Sequence, residues 1–482
     1  MATGHAPHPP PLVRADGEIR PRGAVPARER WSWATYDFAN TIFSMNVGTL
    51  FFAVWFVDDL GGTNTQLSIA TAAASLLVAL SIPVLGAVSD AQRRRRPWVI
   101  GFTLAAVAAT ALIGVLGRTT LPLVGEQVVG AAAAGGAGLG LAALAPLLVA
   151  FVVANYAYQG ALPFYNAMLP ELAAPEAQGR LSGLGAALGY VGSIVGVLVG
   201  MTFFAGGIPG IAQLPDDVVR TLRGIVPFAD AGGRVSVFVP TALVFLVCAL
   251  PLFLFCRDHD PAPKGAPMRI RQAFADLRAT LRDARRHPGV LRFIGASLLY
   301  QDAVGTIIGV MALYAVKAVG FERGLETTLF VALTVPAVLG SYAIGRLCDR
   351  KGPKWTLQFV VGAWILLLLG MILAPGRAAF LGVGVGIGLI FGGIATAERP
   401  MLLRLVPDVE AGRFFALMVL SARAAAIVGP LVWALAVDGL TPHVGEPLAY
   451  RAGVVTLALA MVGAFLLLRG VPESRVAARA GA

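Results

Sequence analysis

Twelve times along its 482 residues the chain runs for about 20 residues with hardly a charge, and that recurrence restricts the possible fold more than any motif does. The stretches fall near 33–57, 66–88, 97–117, 141–161, 184–204, 236–256, 291–316, 326–345, 356–374, 378–397, 414–436 and 450–468. About 20 mostly apolar residues are what a helix needs to cross a bilayer, and in lipid the backbone must satisfy its own polar groups within the segment. With 57% hydrophobic and 13% charged residues, a soluble globular domain is excluded. The net charge of +11 does not announce a nucleic-acid partner, because the basic residues lie in short runs between apolar stretches and not on one face. The expected fold is an all-α membrane protein of twelve transmembrane helices.

Twelve crossings put both termini on one side, and the positive residues say which. The tails and the loops on their side hold 29 of the 38 Lys and Arg residues, the opposite loops hold 8, and Arg423 lies inside a span. That skew places both termini in the cytoplasm of a plasma (inner) membrane protein. Residues 1–30, rich in Pro and Arg and lacking an apolar core, read as a disordered cytoplasmic tail and not as a signal peptide. A short tail at 471–482 closes the chain. The segment 118–140 carries Arg118, Pro122, Glu126 and a Gly-rich end, and counting it as a span would invert every later loop. It is read as an external insertion. Between the halves 31–256 and 291–470, the linker 257–290 sets Ile270, Phe274, Leu277 and Leu281 opposite Arg271, Arg278, Arg282 and Arg285. This is an amphipathic helix suited to an anionic membrane lipid surface, with a solvated linker helix as the alternative. The three cysteines, Cys248, Cys256 and Cys348, are widely spaced in or beside apolar runs, and are expected to be free thiols.

The two halves repeat. "DFANTI" from Asp37 in span 1 matches "DAVGTI" from Asp302 in span 7. "GAVSDAQRRRRP" after span 2 (Gly86, Asp90, Arg93 to Arg96) matches "GRLCDRKGPK" after span 8 (Gly345, Asp349, Lys351, Lys354). "LPELAAPEAQGR" after span 4, ending at Arg180, matches "LVPDVEAGR" after span 10, ending at Arg413, and Gly196 and Gly429 each follow sixteen residues later. Three matches in register indicate a 6+6 internal duplication, the plan of transporters that enclose a midplane site.

At these residues the chain resembles the major facilitator superfamily, whose loops after spans 2 and 8 carry Gly-x-x-x-Asp-x-x-Gly-Arg-Lys/Arg. The second copy keeps the later glycine as Gly352, and the first has Arg93 there. Within the superfamily it resembles the vacuole-effluxer-like branch, related to autophagy-associated vacuolar amino-acid exporters and their bacterial relatives. The resemblance is carried by "YDFANTIF" (Tyr36 to Phe43), "LPELAAPEAQGRLSGLGAALGYVGS" (Leu169 to Ser193), "LLYQDAVGTI" (Leu298 to Ile307) and "LVPDVEAGRFFALMVLSARAAAIVGP" (Leu405 to Pro430). It implies amino-acid efflux. The chain departs from that pattern in having Ala395 and Glu398 before Arg399, where Gln and Ser are usual, and Arg423 in place of a Lys.

Charges inside a bilayer cost about 2.5–3.5 kcal/mol each at a helix centre by insertion scales, so those that persist face a cavity or one another. Asp37, Asn40 and Thr41 line one stripe of span 1, and Asp302 and Thr306 line the matching stripe of span 7. They are candidates for contact with solute or proton, with a structural ion pair or a cap on a broken turn as the alternative. Asp302, deeper in its span, is the expected proton carrier, and Asp37 orients span 1 or the solute. Glu398, Arg399 and Arg423 stand where a planar guanidinium can hold a carboxylate bidentately, the alternative being that they neutralise each other or form a gate pair. Asp90, Arg93 to Arg96 (Arg93 and Arg94 foremost), Arg180, Asp349, Lys351 and Arg413 are expected to lock the cytoplasmic side. Topology-setting charge alone explains the arginine run but not the recurrence of Asp90 and Asp349. Gly185, Gly189, Gly192, Gly196 and Gly200 make one smooth face of span 5 for close packing.

The reading is a secondary active transporter of a small solute, working by alternating access, with no cofactor and no metal, and expected as a monomer. Drugs or sugars remain alternative solutes, and a non-transporting receptor or scaffold an alternative role. The five His residues (His5, His8, His259, His287, His443) all lie in tails or loops, which argues against an intramembrane enzyme.

Overall fold

The computed structural model describes residues 12–13, 19–20, 25–134, 141–208, 212–259, 289–320 and 326–473. Twelve long helices occupy the predicted spans. They are α1 (Ala27–Phe43), α2 (Asn64–Gln92), α3 (Arg96–Ala134), α4 (Leu141–Ala167), α5 (Gln178–Ala205) and α6 (Phe238–Phe255). The second half holds α7 (Val290–Tyr314), α8 (Glu326–Lys351), α9 (Pro353–Leu373), α10 (Arg377–Phe391, then Gly393–Leu405), α11 (Ala411–Val444) and α12 (Glu446–Arg469). Among the described residues nine helical stretches are long and apolar enough to cross a membrane by length and composition. Strand structure among them is confined to two two-residue pairs, Leu12–Val13 with Ile19–Arg20 and Gly207–Ile208 with Ala212–Gln213.

Local sequence sets the helix ends. Thr63 and Gln66 form a reciprocal capping box at the start of α2. Arg93 ends α2 with φ 48°, and Gly352 stands after α8 with φ 86°. At the first of these repeat-related stops an arginine therefore holds the left-handed conformation that glycine adopts without a steric penalty. The outer ends of the two leading helices are wound more loosely. Residues Ser44–Leu50 and Trp55–Asp59 continue α1 in π-helical turns, and Ala315–Val319 does the same for α7.

Two boundaries differ from the sequence reading. The first helix starts inside the expected tail, at Ala27. Helix α3 does not stop at 117 but continues to Ala134, so that at 1.5 Å per residue it is nearly twice as long as the roughly 30 Å hydrocarbon core is thick. Much of the expected insertion is thus a helical extension of a span, and 135–140 lies outside the described residues. Most of the expected linker helix, 260–288, also lies outside them, as does the tail from 474.

Helices α1–α6 pack among themselves, as do α7–α12, and the halves meet where α2 lies against α11, α4 against α11, and α5 against α8 and α10. The surface turned away from these contacts is apolar: Leu339, Leu366 and Leu373 are 66%, 71% and 75% exposed. A continuous coat of exposed leucine suits lipid and not water. The glycine face of α5 lies on α1. A Cβ on Gly185 would sit 2.7 Å from Asp37 Oδ2, one on Gly189 3.1 Å from Thr41 Oγ1, and one on Gly196 3.1 Å from Ile42 Cα. One on Gly192 would strike the Phe38 carbonyl, and one on Gly200 the Phe51 ring.

Candidate functional site

We call the side on which α1 begins and α12 ends the terminal face, and the opposite side the far face. At the terminal face the repeated acidic turns act on each other's half. Asp90, closing α2, accepts the main-chain amides of Gly412 (3.0 Å) and Arg413 (2.8 Å) at the start of α11. Asp349, near the end of α8, accepts the Arg180 amide (3.1 Å) and its guanidinium Nε (2.7 Å) at the start of α5. The first turn of a helix carries unpaired amides and partial positive charge, so each carboxylate caps a helix of the opposite half. The motif glycines make this approach possible. A Cβ on Gly86 would lie 3.1 Å from the Gly412 carbonyl, and one on Gly345 2.8 Å from the Gly179 carbonyl.

Of the four arginines after α2, Arg95 turns inward and is buried. It bonds Glu171 in the short turn after α4, donates to the Asp408 carbonyl before α11 (2.8 Å) and lies 3.6 Å from Asp90 Oδ1. Burial works against its charge, but the Glu171 and Asp90 carboxylates outweigh it and hold the guanidinium above its ordinary pKa. Arg93 and Lys351 are exposed, and Arg94 lines a shallow groove with Gln92 and Trp98. Arg413 reaches Glu410 (2.5 Å), three residues before it. On the far face the ion pairs Arg118–Asp230 (2.7 Å), Arg234–Asp59 (2.5 Å) and Lys317–Glu446 (3.0 Å) each stay within one half. Arg118 holds the exposed Asp230 carboxyl below its usual range by hydrogen bonding.

Deeper between the halves, Arg399 on α10 forks onto Asp37 on α1, with Nη1 2.8 Å from Oδ2 and Nη2 3.2 Å from Oδ1. The pair is mostly buried, at 12% and 9% side-chain exposure. The guanidinium also faces the rings of Trp33 (5.7 Å) and Tyr165 (5.5 Å), which stack on one another with centroids 4.5 Å apart. Its neighbour Glu398 points elsewhere. Ser297 Oγ (2.6 Å) and Tyr300 Oη (2.7 Å) donate to Oε1, and Gln301 Nε2 (2.9 Å) donates to Oε2, all from α7. The hydrogen bonds of Glu398 and Arg399 therefore go to different partners: Glu398 accepts from the leading helix of the second half, and Arg399 donates to that of the first.

Asn40 is buried with its Oδ1 unpartnered, and Thr41 donates to the Asp37 carbonyl (2.7 Å). Asp302, 7% exposed, accepts the Gly429 amide (2.8 Å) on α11, and Thr306 one turn on has a buried hydroxyl with no partner. The Arg423 side chain lies outside the described residues. Among the described residues no group of three or more His, Cys, Asp or Glu is arranged to hold a metal. The site thus offers an adjacent cation and anion at the seam between halves, each anchored by groups that a polar solute could replace.

Sequence reasoning did not single out Tyr165, Trp33, Ser297, Tyr300 or Gln301. Ser297 and Gln301 both precede Asp302 on a strongly apolar span, and that polarity was a usable signal.

A family model described as "Vacuole effluxer Atg22 like" matches residues 55–480. The uncharacterized MFS-type transporter YxiO of Bacillus subtilis (strain 168) is 23% identical over 411 residues, covering 84% of this chain and 87% of that one. Autophagy-related protein 22-1 of Neosartorya fischeri is 23% identical over 54% of this chain and 43% of its own length. The multidrug resistance protein MdtG of Proteus mirabilis is 25% identical over 43% of this chain and 50% of its own. The chain thus spans half or less of the length of these last two relatives. Among solved structures, the major facilitator superfamily transporter FucP in the outward conformation has a TM-score of 0.65 at 15% identity, covering 91% of this chain and 97% of that one. At that identity the likeness shows the fold.

Proposed function

Because the chain belongs to the Atg22-like vacuole effluxer family of major facilitator transporters, we propose that it exports small zwitterionic solutes of amino-acid type by alternating access, driven by protons. It is a multi-pass integral membrane protein and a transporter of small solutes, not an enzyme. The observation that carries the finer reading is the seam of Asp37, Glu398 and Arg399. A fork already fitted to one carboxylate can take another, so a solute carboxylate replaces Asp37 on Arg399. The solute ammonium is then matched by the released Asp37 or by Glu398. Because the Asp37–Arg399 pair joins the halves, loading the solute loosens their connection at the moment the site fills. Asp302 is the proton-carrying group in this reading. The terminal face, closed by Asp90 and Asp349, is the cytoplasmic face of the plasma membrane in this reading.

The test is counterflow in proteoliposomes preloaded with single amino acids. Saturable exchange of a zwitterion supports the reading. Flux restricted to lipophilic cations, used as probes of the drug export that the name of the multidrug resistance protein MdtG suggests, replaces it with drug export. Binding without any flux makes the protein a receptor. Orientation has its own check. Single cysteines at 60–64 and 440–446 are expected to react with an impermeant thiol reagent on whole cells, and cysteines at 264–290 to stay unlabelled. The reverse pattern would invert the topology.

A further inference from the structure

Asp37 and Asp302 are the same residue in the two copies of the repeat, yet the protein neutralises them differently. The repeat extends without a gap from "LPFYNAMLPE" (Leu162 to Glu171) on and after α4 to "RPMLLRLVPD" (Arg399 to Asp408) on and after α10, aligning Pro163 with Pro400 and Pro170 with Pro407. In this register the counterpart of Arg399, the cation that meets Asp37, is Leu162. Among the described residues Asp302 has one hydrogen-bond donor, the Gly429 amide, and no ion-pair partner. A carboxylate inside a bilayer with a single amide donor is left short of positive charge.

Other oxygens gather beside it. A Cβ on Gly429 would lie 2.5 Å from Asp302 Oδ2, 2.5 Å from Thr306 Oγ1, and closer still to Asp302 Oδ1. Oδ2 and the hydroxyl therefore lie within twice that distance of each other, near enough to share one ion. Thr306 is 3% exposed and its hydroxyl has no partner, a polar group left unsatisfied where satisfaction is the rule. The next residue of α11, Pro430, has no amide hydrogen, which leaves a carbonyl one turn earlier without its helical donor. Hard cations take oxygen ligands of these kinds, carboxylate, hydroxyl and main-chain carbonyl among them.

We propose that Asp302, Thr306 and a main-chain carbonyl that Pro430 leaves without its helical donor on α11 form a Na+ site. The proposal rests on the reading of Asp302 as the coupling carboxylate: Na+ binds there when the carboxylate has released its proton. The absence of a side chain at Gly429 gives the ion its room, and with Leu162 at the position repeat-related to Arg399 no cation among the described residues neutralises Asp302.

The test is equilibrium binding of radioactive Na+ to the purified full-length protein in detergent, with choline as the replacing cation at constant ionic strength. Saturable binding of one Na+ per chain is expected. Thr306→Val should weaken it about ten-fold or more, Thr306→Ser should keep it, and Asp302→Asn should abolish it. Equal thermal stability of the variants in choline controls for folding. No saturable binding by the unaltered protein, or equal affinity in Thr306→Val and Thr306→Ser, overturns the site. Solute counterflow with equal Na+ on both sides of the proteoliposome membrane is read separately: its absence sinks the transport reading, whatever the Na+ binding result.

Discussion

Replacing Arg399 with glutamine is expected to cost about 3–5 kcal/mol of stability in the conformation described, and Asp37→Asn in the same chain to return most of it. The reason is the location of the pair. Both side chains are nearly buried between the halves, and truncating the cation leaves the Asp37 carboxylate in a low-dielectric seam facing Trp33 and Tyr165. Removing one charge strands the other, while removing both leaves a neutral contact that costs little. A double-mutant cycle on thermal unfolding in detergent measures the coupling. Transport should behave otherwise. Asp37→Asn with Arg399→Gln regains stability but not solute counterflow, because the fork that receives the solute is gone. Additive losses in the cycle would show that Asp37 and Arg399 do not depend on each other. A double variant that still exchanges solute would remove Arg399 from the binding site.

The second large effect concerns the terminal face, where the protein carries its own reporter. Cys348 is buried beside the Asp349 cap, and a Cβ on Gly179 of the opposite half would lie 2.7 Å from its Cβ. Opening the seam between α5 and α8 exposes it. In a chain with Cys248 and Cys256 replaced, Asp349→Asn is expected to raise the rate at which a thiol reagent labels Cys348 by about ten-fold, the equivalent of about 1.4 kcal/mol. The Arg180 side chain is 61% exposed and screened, so its ion pair adds little and the bond from its buried-facing amide contributes more. Asp90→Asn should act in the same direction through α11, and the two substitutions together more strongly than either. Unchanged labelling in the double variant would reduce both aspartates to topology signals.

Much of this was legible in the chain because lipid and repetition are strict. The bilayer fixes span length, so the twelve stretches could be placed, and the duplication makes Asp90 and Asp349 explain each other. The glycine face from Gly185 to Gly200 was readable since residues three and four apart share one side of a helix. What the sequence withheld is the choice of partner. Asp37 and Arg399 are 362 residues apart, and no local pattern says that a leading helix will meet α10 of the other half. Glu398 and Arg399 looked like partners because they are adjacent, but successive residues on a helix point about 100° apart, and each found donors or acceptors on a different element. Nor does a run of four arginines reveal that Arg95 is the one turned inward. That depends on the left-handed turn at Arg93, where a glycine was the expected residue.

The loosely wound outer ends of α1 and α7 give the two doors of the molecule different mechanics. A turn closed by i to i+5 bonds holds one residue more than an α turn, which is slack that the ladder can take up or release without being severed. The far-side door therefore yields like a spring, in small steps and over a range of apertures. At the other side Asp90 and Asp349 each hold main-chain amides that are either bound or lost, so that door behaves as a latch with a threshold. A molecule built this way opens at the latched side in discrete events and at the sprung side by degrees.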